Sequence, residues 1–308
     1  MRKIAYFLSG LISLMFIGIV GLSYYVTQQV LFFKLRDVEV IIRRETRAKR
    51  MDINAFKKLP QEVVDIDSKF GYKLNTIFIT PNETNKWVVI CHGVTENKIS
   101  MVKYVNLFTD MGYNCVIFDA RRHGDSGGLT STYGYYEKFD LESVIDYLID
   151  DFSAGQDIEV GVHGESMGAA TMLLYAGELS NRAKFYISNA SFSTFEQQLL
   201  SIFNQKSKLL APIVLKVANV FFHFRSKFSV DAVNPEAVVH KIEQPIFFIH
   251  SKPDKFITVD QTKRLYELKK GPKVSWYPER GGHVESYNRN PKTYKKKIEE
   301  FLTTYVGW

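Results

Sequence analysis

Cysteine is nearly absent: the 308 residues hold two, Cys91 and Cys115. Each sits in an apolar run, Trp87 to Cys91 and Asn114 to Phe118, so they read as small core hydrophobes and build no disulfide framework. They leave the redox compartment open. No Cys/His group has the spacing of a zinc site and no glycine-rich phosphate loop occurs, so neither a metal nor another cofactor is implied. Internal repeats and low-complexity tracts are missing, which excludes solenoids and biased linkers. Aromatic residues are plentiful, but they fall where core residues fall. No basic–aromatic motif points to nucleic acid.

Charge is missing over one long stretch. From Ile4 to Phe33 no residue is ionisable as an acid or base other than tyrosine, and Ile4–Val26 is dense in Leu, Ile, Phe, Gly and Val. This exceeds the roughly 20 residues that cross a bilayer as a helix. A removed signal peptide has a shorter apolar core, about 7–15 residues, and no small-x-small cleavage site follows. Residues 1–33 are therefore expected to be an uncleaved, single-pass membrane anchor. The net charge of +7 gathers partly behind it, in a basic juxtamembrane segment over 34–60. There Lys34, Arg36, Arg43, Arg44, Arg47, Lys49 and Arg50 suit anionic lipid headgroups. Sidedness is pulled two ways. These cations favour a cytoplasmic domain by the positive-inside rule, whereas Arg2 and Lys3 ahead of the helix favour a short inner tail. The expectation is the cell membrane, with the following domain on the exterior face.

What the chain does have is Gly164-Glu165-Ser166-Met167-Gly168 between two readable elements. Ile158 to Val162 is a buried-strand run, and Ala169 to Ala176 is helix-forming without a breaker. Gly-x-Ser-x-Gly between strand and helix is the nucleophile elbow: small residues permit a sharp turn that pushes the serine hydroxyl outward. The helix start behind it offers N–H groups and positive partial charge to an oxyanion.

The partners of such a serine follow in the order acid, then histidine, each beyond a strand. Pro245 to His250 is strand-like, and the turn after it carries Asp254. Lys273 to Tyr277 alternates like a strand, and the glycine-rich loop after it ends in His283. His283 would take the Ser166 proton while Asp254 fixes the imidazole tautomer and its positive charge. In the loop after Trp87–Cys91, Gly93 permits close approach, so the N–H of Val94 can join that of Met167 as a pair of oxyanion donors. His92 reads as a brace for this loop. The turn Asp119 to Gly128 reads as scaffolding, with Arg121, His123 and Ser126 knitting it together.

His92-Gly93-Val94-Thr95-Glu96-Asn97-Lys98, the Asp119 to Gly128 segment, the elbow and Gly282-His283 together resemble the serine α/β-hydrolases. The nearest likeness is to bacterial esterases and to the serine-aminopeptidase and acyltransferase-like hydrolases, over about residues 61 to 308. The resemblance implies Ser166, Asp254 and His283 as triad and Val94 and Met167 as oxyanion donors. Two positions depart from the pattern: Ser251 stands where glycine is usual, and Asn189 stands where many relatives carry an aspartate.

Strand-like runs alternate with helical ones at Ser100–Met111, Tyr136–Asp151, Thr171–Leu179, Val259–Lys269 and Pro291–Tyr305. That pattern predicts a mostly parallel sheet covered on both faces. A hairpin, Glu62–Phe70 with Leu74–Thr80, leads into it. The long interval before Pro245 predicts a small helical cap over 194–243, with helices Phe195–Phe203 and Leu209–Phe224. The reading is a membrane-bound serine hydrolase acting on a small acyl ester or lipid-like substrate. A peptidase or acyltransferase with the same triad is the alternative, and a non-catalytic lipid- or partner-binding protein of this fold is the remote one. With the triad wholly inside 61–308, the domain is expected to work without residues 1–33.

Overall fold

The computed structural model describes residues 2–180, 182–204 and 209–308. Its elements in chain order are α1 (Arg2–Leu31), α2 (Val38–Arg47), α3 (Ile53–Lys57), β1 (Gln61–Asp67), β2 (Lys73–Ile79) and β3 (Lys86–Cys91). Then come α4 (Val102–Thr109), β4 (Asn114–Phe118), α5 (Glu137–Asp146), β5 (Glu159–Glu165), α6 (Met167–Glu178), β6 (Phe185–Asn189), α7 (Phe195–Asn204) and α8 (Ala211–Ser226). The chain closes with β7 (Ile246–Ile249), α9 (Val259–Leu268), β8 (Lys273–Trp276), α10 (Ser286–Arg289) and α11 (Pro291–Tyr305).

The strands form one eight-stranded sheet in the order β1-β2-β4-β3-β5-β6-β7-β8. β1 and β2 are the antiparallel hairpin, β2 meets β4 antiparallel, and the remaining neighbours are parallel. Apolar side chains pack on both faces of the sheet, as parallel strands flanked by crossover helices require. This is the α/β-hydrolase fold, and it places the carboxyl ends of β3, β5, β7 and β8 along one edge. The expected Tyr136–Asp151 helix ends earlier as regular helix: α5 stops at Asp146 and a wider π turn carries the chain from Tyr147 to Phe152. The expected helix at Ser100 starts as a tight 3₁₀ turn, Lys98–Met101, capped by Asn97.

A third apolar cluster lies outside the sheet. It joins Val26, Val30 and Leu31 of α1 to Phe195 and Leu199 of α7 and to Val214, Leu215, Ala218 and Phe222 of α8. Helices α7 and α8 fall within the span expected for the cap, of which residues 205–208 lie outside the described residues. Two features differ from the sequence reading. The basic segment contains two helices, α2 and α3, and its cations are partly consumed within the protein: Arg44 forks onto Glu96 at 2.9 and 2.8 Å, Arg36 also meets Glu96, and Arg50 meets Glu45 at 2.7 Å. These arginines are bound to carboxylates, which leaves less of the run for lipid headgroups. The second difference concerns α1, whose last turns are built into the cap. Ser23 Oγ donates to Val214 O at 3.0 Å, and Arg225 donates to Thr27 Oγ1 at 2.9 Å and Gln28 Oε1 at 2.5 Å.

Candidate active site

β5 ends at Glu165 and α6 begins at Met167, so Ser166 alone makes the turn. Its backbone stands at φ 56° and ψ −115°, a strained conformation that persists only when its surroundings hold it. The flanking glycines explain why the turn fits. A Cβ on Gly164 would lie 2.5 Å from Gly168 O, and one on Gly168 would lie 2.4 Å from Cys91 O; neither space exists. The Ser166 N–H donates to Asn189 O at 2.8 Å, tying the elbow to β6.

The structure brings Ser166, His283 and Asp254 together. Ser166 Oγ is 2.9 Å from His283 Nε2, and His283 Nδ1 is 2.7 Å from Asp254 Oδ2. Burial works against charge on Asp254, but hydrogen bonds from His250 and His283 outweigh it and hold the carboxyl well below the ordinary range. Its other oxygen accepts from Phe256 N at 2.9 Å and Ile257 N at 3.1 Å, so the carboxylate is aimed as well as ionised. Phe256 lies against the imidazole, ring centroids 4.9 Å apart.

Val94 and Met167 both border a cavity that opens at Ser166. The loop that carries Val94 passes close by: a Cβ on Gly93 would sit 3.3 Å from Ser166 Cβ. His92 braces that loop, its Nε2 accepting from Ala120 N at 2.9 Å. Asp119 anchors it from beneath, accepting from Lys98 N at 2.8 Å and Lys98 Nζ at 2.5 Å. In the scaffold turn, Ser126 Oγ donates to Asp119 O at 2.7 Å and His123 Nδ1 lies 2.9 Å from Arg121 O. The Arg121 guanidinium covers the Tyr136 ring at 4.6 Å.

Two groups here escaped the sequence reading. His250, fully buried at the end of β7, places Nε2 3.0 Å from Asp254 Oδ2 and Nδ1 2.7 Å from Thr262 Oγ1. Its position just before the acid loop was the only sequence signal. Glu165, beside the serine, is paired with Lys103 Nζ at 2.9 Å and Tyr104 Oη at 2.7 Å, and Asn189 Nδ2 donates to the same Tyr104 oxygen at 2.9 Å. Nothing local in the sequence announces that network.

Ser166 stands between two cavities of opposite character. One, of about 460 Å³, is apolar and is walled by α1, α7 and α8. The other, of about 490 Å³, reaches Ser166 and His283 from the α2 side and is lined by charged groups including Arg36, Arg44, Arg50, Lys103 and the carboxylates that pair with them.

Comparison with known proteins bears on what such a site belongs to. The chain is 39% identical to the Bacillus subtilis (strain 168) protein YqkD over 303 residues, covering 98% of this chain and 97% of that one. The family described as "Serine aminopeptidase, S33" matches residues 82–229. The chain belongs to the serine α/β-hydrolase family. Among solved structures, an esterase of Pyrococcus furiosus, Pf2001, superimposes with a TM-score of 0.65 at 23% identity, over 83% of this chain and 96% of that one. An acylaminoacyl peptidase of Pyrococcus horikoshii gives a TM-score of 0.61 at 19% identity, over 83% of this chain and 44% of that one. Both are similar in fold. Membership makes this chain a hydrolase.

Proposed function

We propose that this protein is a membrane-anchored serine hydrolase that cleaves carboxylic esters through an acyl-enzyme. The observation that carries the reading is the hydrogen-bonded line Ser166–His283–Asp254 opening onto an apolar cavity. His283 Nε2 takes the proton as Ser166 Oγ forms a bond to the ester carbonyl carbon. The N–H groups of Val94 and Met167 hold the negative charge that develops on the carbonyl oxygen. As the bond to the alcohol oxygen breaks, His283 returns the proton to that oxygen and the acyl group stays on Ser166. Water, deprotonated by His283, then attacks the acyl carbon; the acid leaves and Ser166 regains its proton.

The state of the nearby carboxylates favours ester over aminopeptide. An amino-terminal ammonium needs an unpaired acid beside the nucleophile, and among the described residues the acids lining the charged cavity have partners: Glu45 and Glu96 with arginines, Glu165 with Lys103, and Glu285 with Arg289 and the Gly282 N–H. Helix α1 is long and apolar enough to cross a membrane, and we read it as the anchor of residues 1–33, with the domain on the exterior face. A protease added to intact cells digests the domain if that side is right.

The deciding test uses the full chain in detergent. A fluorophosphonate should label the wild type and not Ser166→Ala, and short p-nitrophenyl esters should be turned over only by the wild type. Faster turnover of aminoacyl-arylamides than of esters would instead make it a peptidase.

A further inference from the structure

The apolar cavity is not enclosed by the hydrolase domain alone. Leu22 and Val26 of α1, Leu199 and Phe203 of α7 and Val214 of α8 line it together, and it reaches Ser166 and Met167. The residues of α1 just before this wall are exposed without interruption from Ile4 to Gly18, a stretch of about 22 Å at about 1.5 Å per residue. A bilayer's hydrocarbon core is about 30 Å thick and takes about 20 residues of helix. Counted from Ile4, that length reaches Ser23, the residue hydrogen-bonded to Val214 O. The first turns of α8 are thereby carried to the edge of the apolar layer.

The outer surface of α8 matches that position. Ile213, Val220 and Phe224 are exposed, Phe224 by 69%, and Leu209 just ahead of the helix by 83%. Spacings of seven and four residues put Ile213, Val220 and Phe224 on one face of the helix that is hydrogen-bonded to α1. A face this apolar in water marks contact with a membrane or a partner, and the helix beside it is the one fit to cross a bilayer.

We propose that the exposed face of α8 meets the surface of the bilayer and that the cleft bounded by α1, α7 and the start of α8 is a lateral port, through which one acyl chain of a membrane lipid ester slides from the bilayer to Ser166. The alcohol part of the lipid then lies in the charged cavity on the α2 side, whose balanced cations and anions suit a neutral or zwitterionic polar group. The substrate class rests on the esterase reading above; the seating of α8 in lipid does not.

The full-length protein in phosphatidylcholine vesicles tests both parts. Phe224→Cys, labelled with an environment-sensitive NBD dye, is selective because Cys91 and Cys115 are buried. Its emission should shift to the blue in vesicles and be quenched by spin-labelled lipid. An unshifted dye overturns the proposal, and so does a shift that ignores the quencher and grows with protein concentration, which would assign the face to a second copy. For activity, Val220→Glu combined with Phe224→Glu should keep wild-type turnover of p-nitrophenyl acetate and lose at least tenfold on a palmitoyl glycerol ester held in the vesicles. Leu22→Trp should lower the ratio of palmitoyl to butyryl ester turnover at least tenfold by filling the port. Wild-type rates on the vesicle ester from both variants overturn the port. A wild type that cleaves no ester and takes no fluorophosphonate removes the esterase reading and with it the substrate class, while the dye still reports whether α8 meets lipid.

Discussion

His283 and His250 share one oxygen: Asp254 Oδ2 lies 2.7 Å from His283 Nδ1 and 3.0 Å from His250 Nε2. The acid is thus held from both sides, by the histidine that faces Ser166 and by one sealed beneath it. Asp254→Asn should keep the fold and lower kcat by about 10⁴, the cost of a wrong imidazole tautomer. Turnover within tenfold of wild type would mean that another group orients His283.

His250 is a positioning residue, because it acts through Asp254 and touches no reacting atom. Removing its hydrogen bond takes away one of the contacts that hold the Asp254 carboxyl low, so His250→Asn should move the acid limb of the kcat/KM profile to higher pH. A merely structural role would lower the rate and leave that limb in place.

The glycines of the elbow carry a steric prediction. Gly168→Ala puts a methyl 2.4 Å from the Cys91 carbonyl oxygen, where both sides are backbone and neither can yield. The strand β3 and helix α6 must separate, and the expected result is loss of several kcal/mol, at the upper end for single substitutions. Thermal melting of the variant measures it; a change under about 1 kcal/mol would show that the elbow can relax.

The parts that were legible in the sequence are those with a local pattern. β4 and α11 occupy the residues their hydrophobic runs suggested, and the elbow follows from glycine spacing between a strand and a helix. The order of acid and histidine along the chain pointed to the residues that meet at Ser166. What stayed hidden depends on pairs far apart in the chain. Lys103 with Glu165 and Arg44 with Glu96 leave no periodic trace, so α2 looked like a basic run suited to lipid headgroups and not a helix fastened beside the site. For the same reason α1 looked like a detachable anchor: its apolar residues are uniform along its length, and only the fold distinguishes the turns that face α8 from those that do not.

Two buried carboxyls should oppose each other in pH dependence. Burial, against hydrogen bonds from Tyr72 and Ser68 of 2.8 Å each, pushes Asp140 up to about 7. The unfolded chain releases that proton near pH 4 and the folded protein near 7, so the group costs stability as pH rises between them. Asp140→Asn should therefore gain on wild type by at most about 1.4 kcal/mol per pH unit across that window, read as the difference in melting temperature between pH 4.5 and 7.5. Asp254, held low, works the other way: its contribution is present above pH 4 and is lost as pH falls below the usual carboxylate range. A pH-independent difference for Asp140→Asn would show that Asp140 ionises normally in the fold.

The last prediction separates the two halves of α1. Residues 2–18 are exposed, whereas Val26, Val30 and Leu31 are buried in the cap cluster and Leu22, Val26 and Val30 wall the apolar cavity. Burying an aliphatic side chain is worth about 1.5–3 kcal/mol, so these three together hold the cap by several kcal/mol. The Ser23, Thr27 and Gln28 hydrogen bonds to α8 add to this. Removing residues 1–17 should leave a protein that melts near the full-length temperature in detergent and hydrolyses short esters at the same rate. Removing residues 1–33 opens the cavity to water and strips the cap of its partner, so its melting temperature should fall and the preference for longer acyl chains should disappear. Equal stability and equal chain-length preference in the two truncations would mean that α1 is only an anchor and that α7 and α8 shape the cavity by themselves.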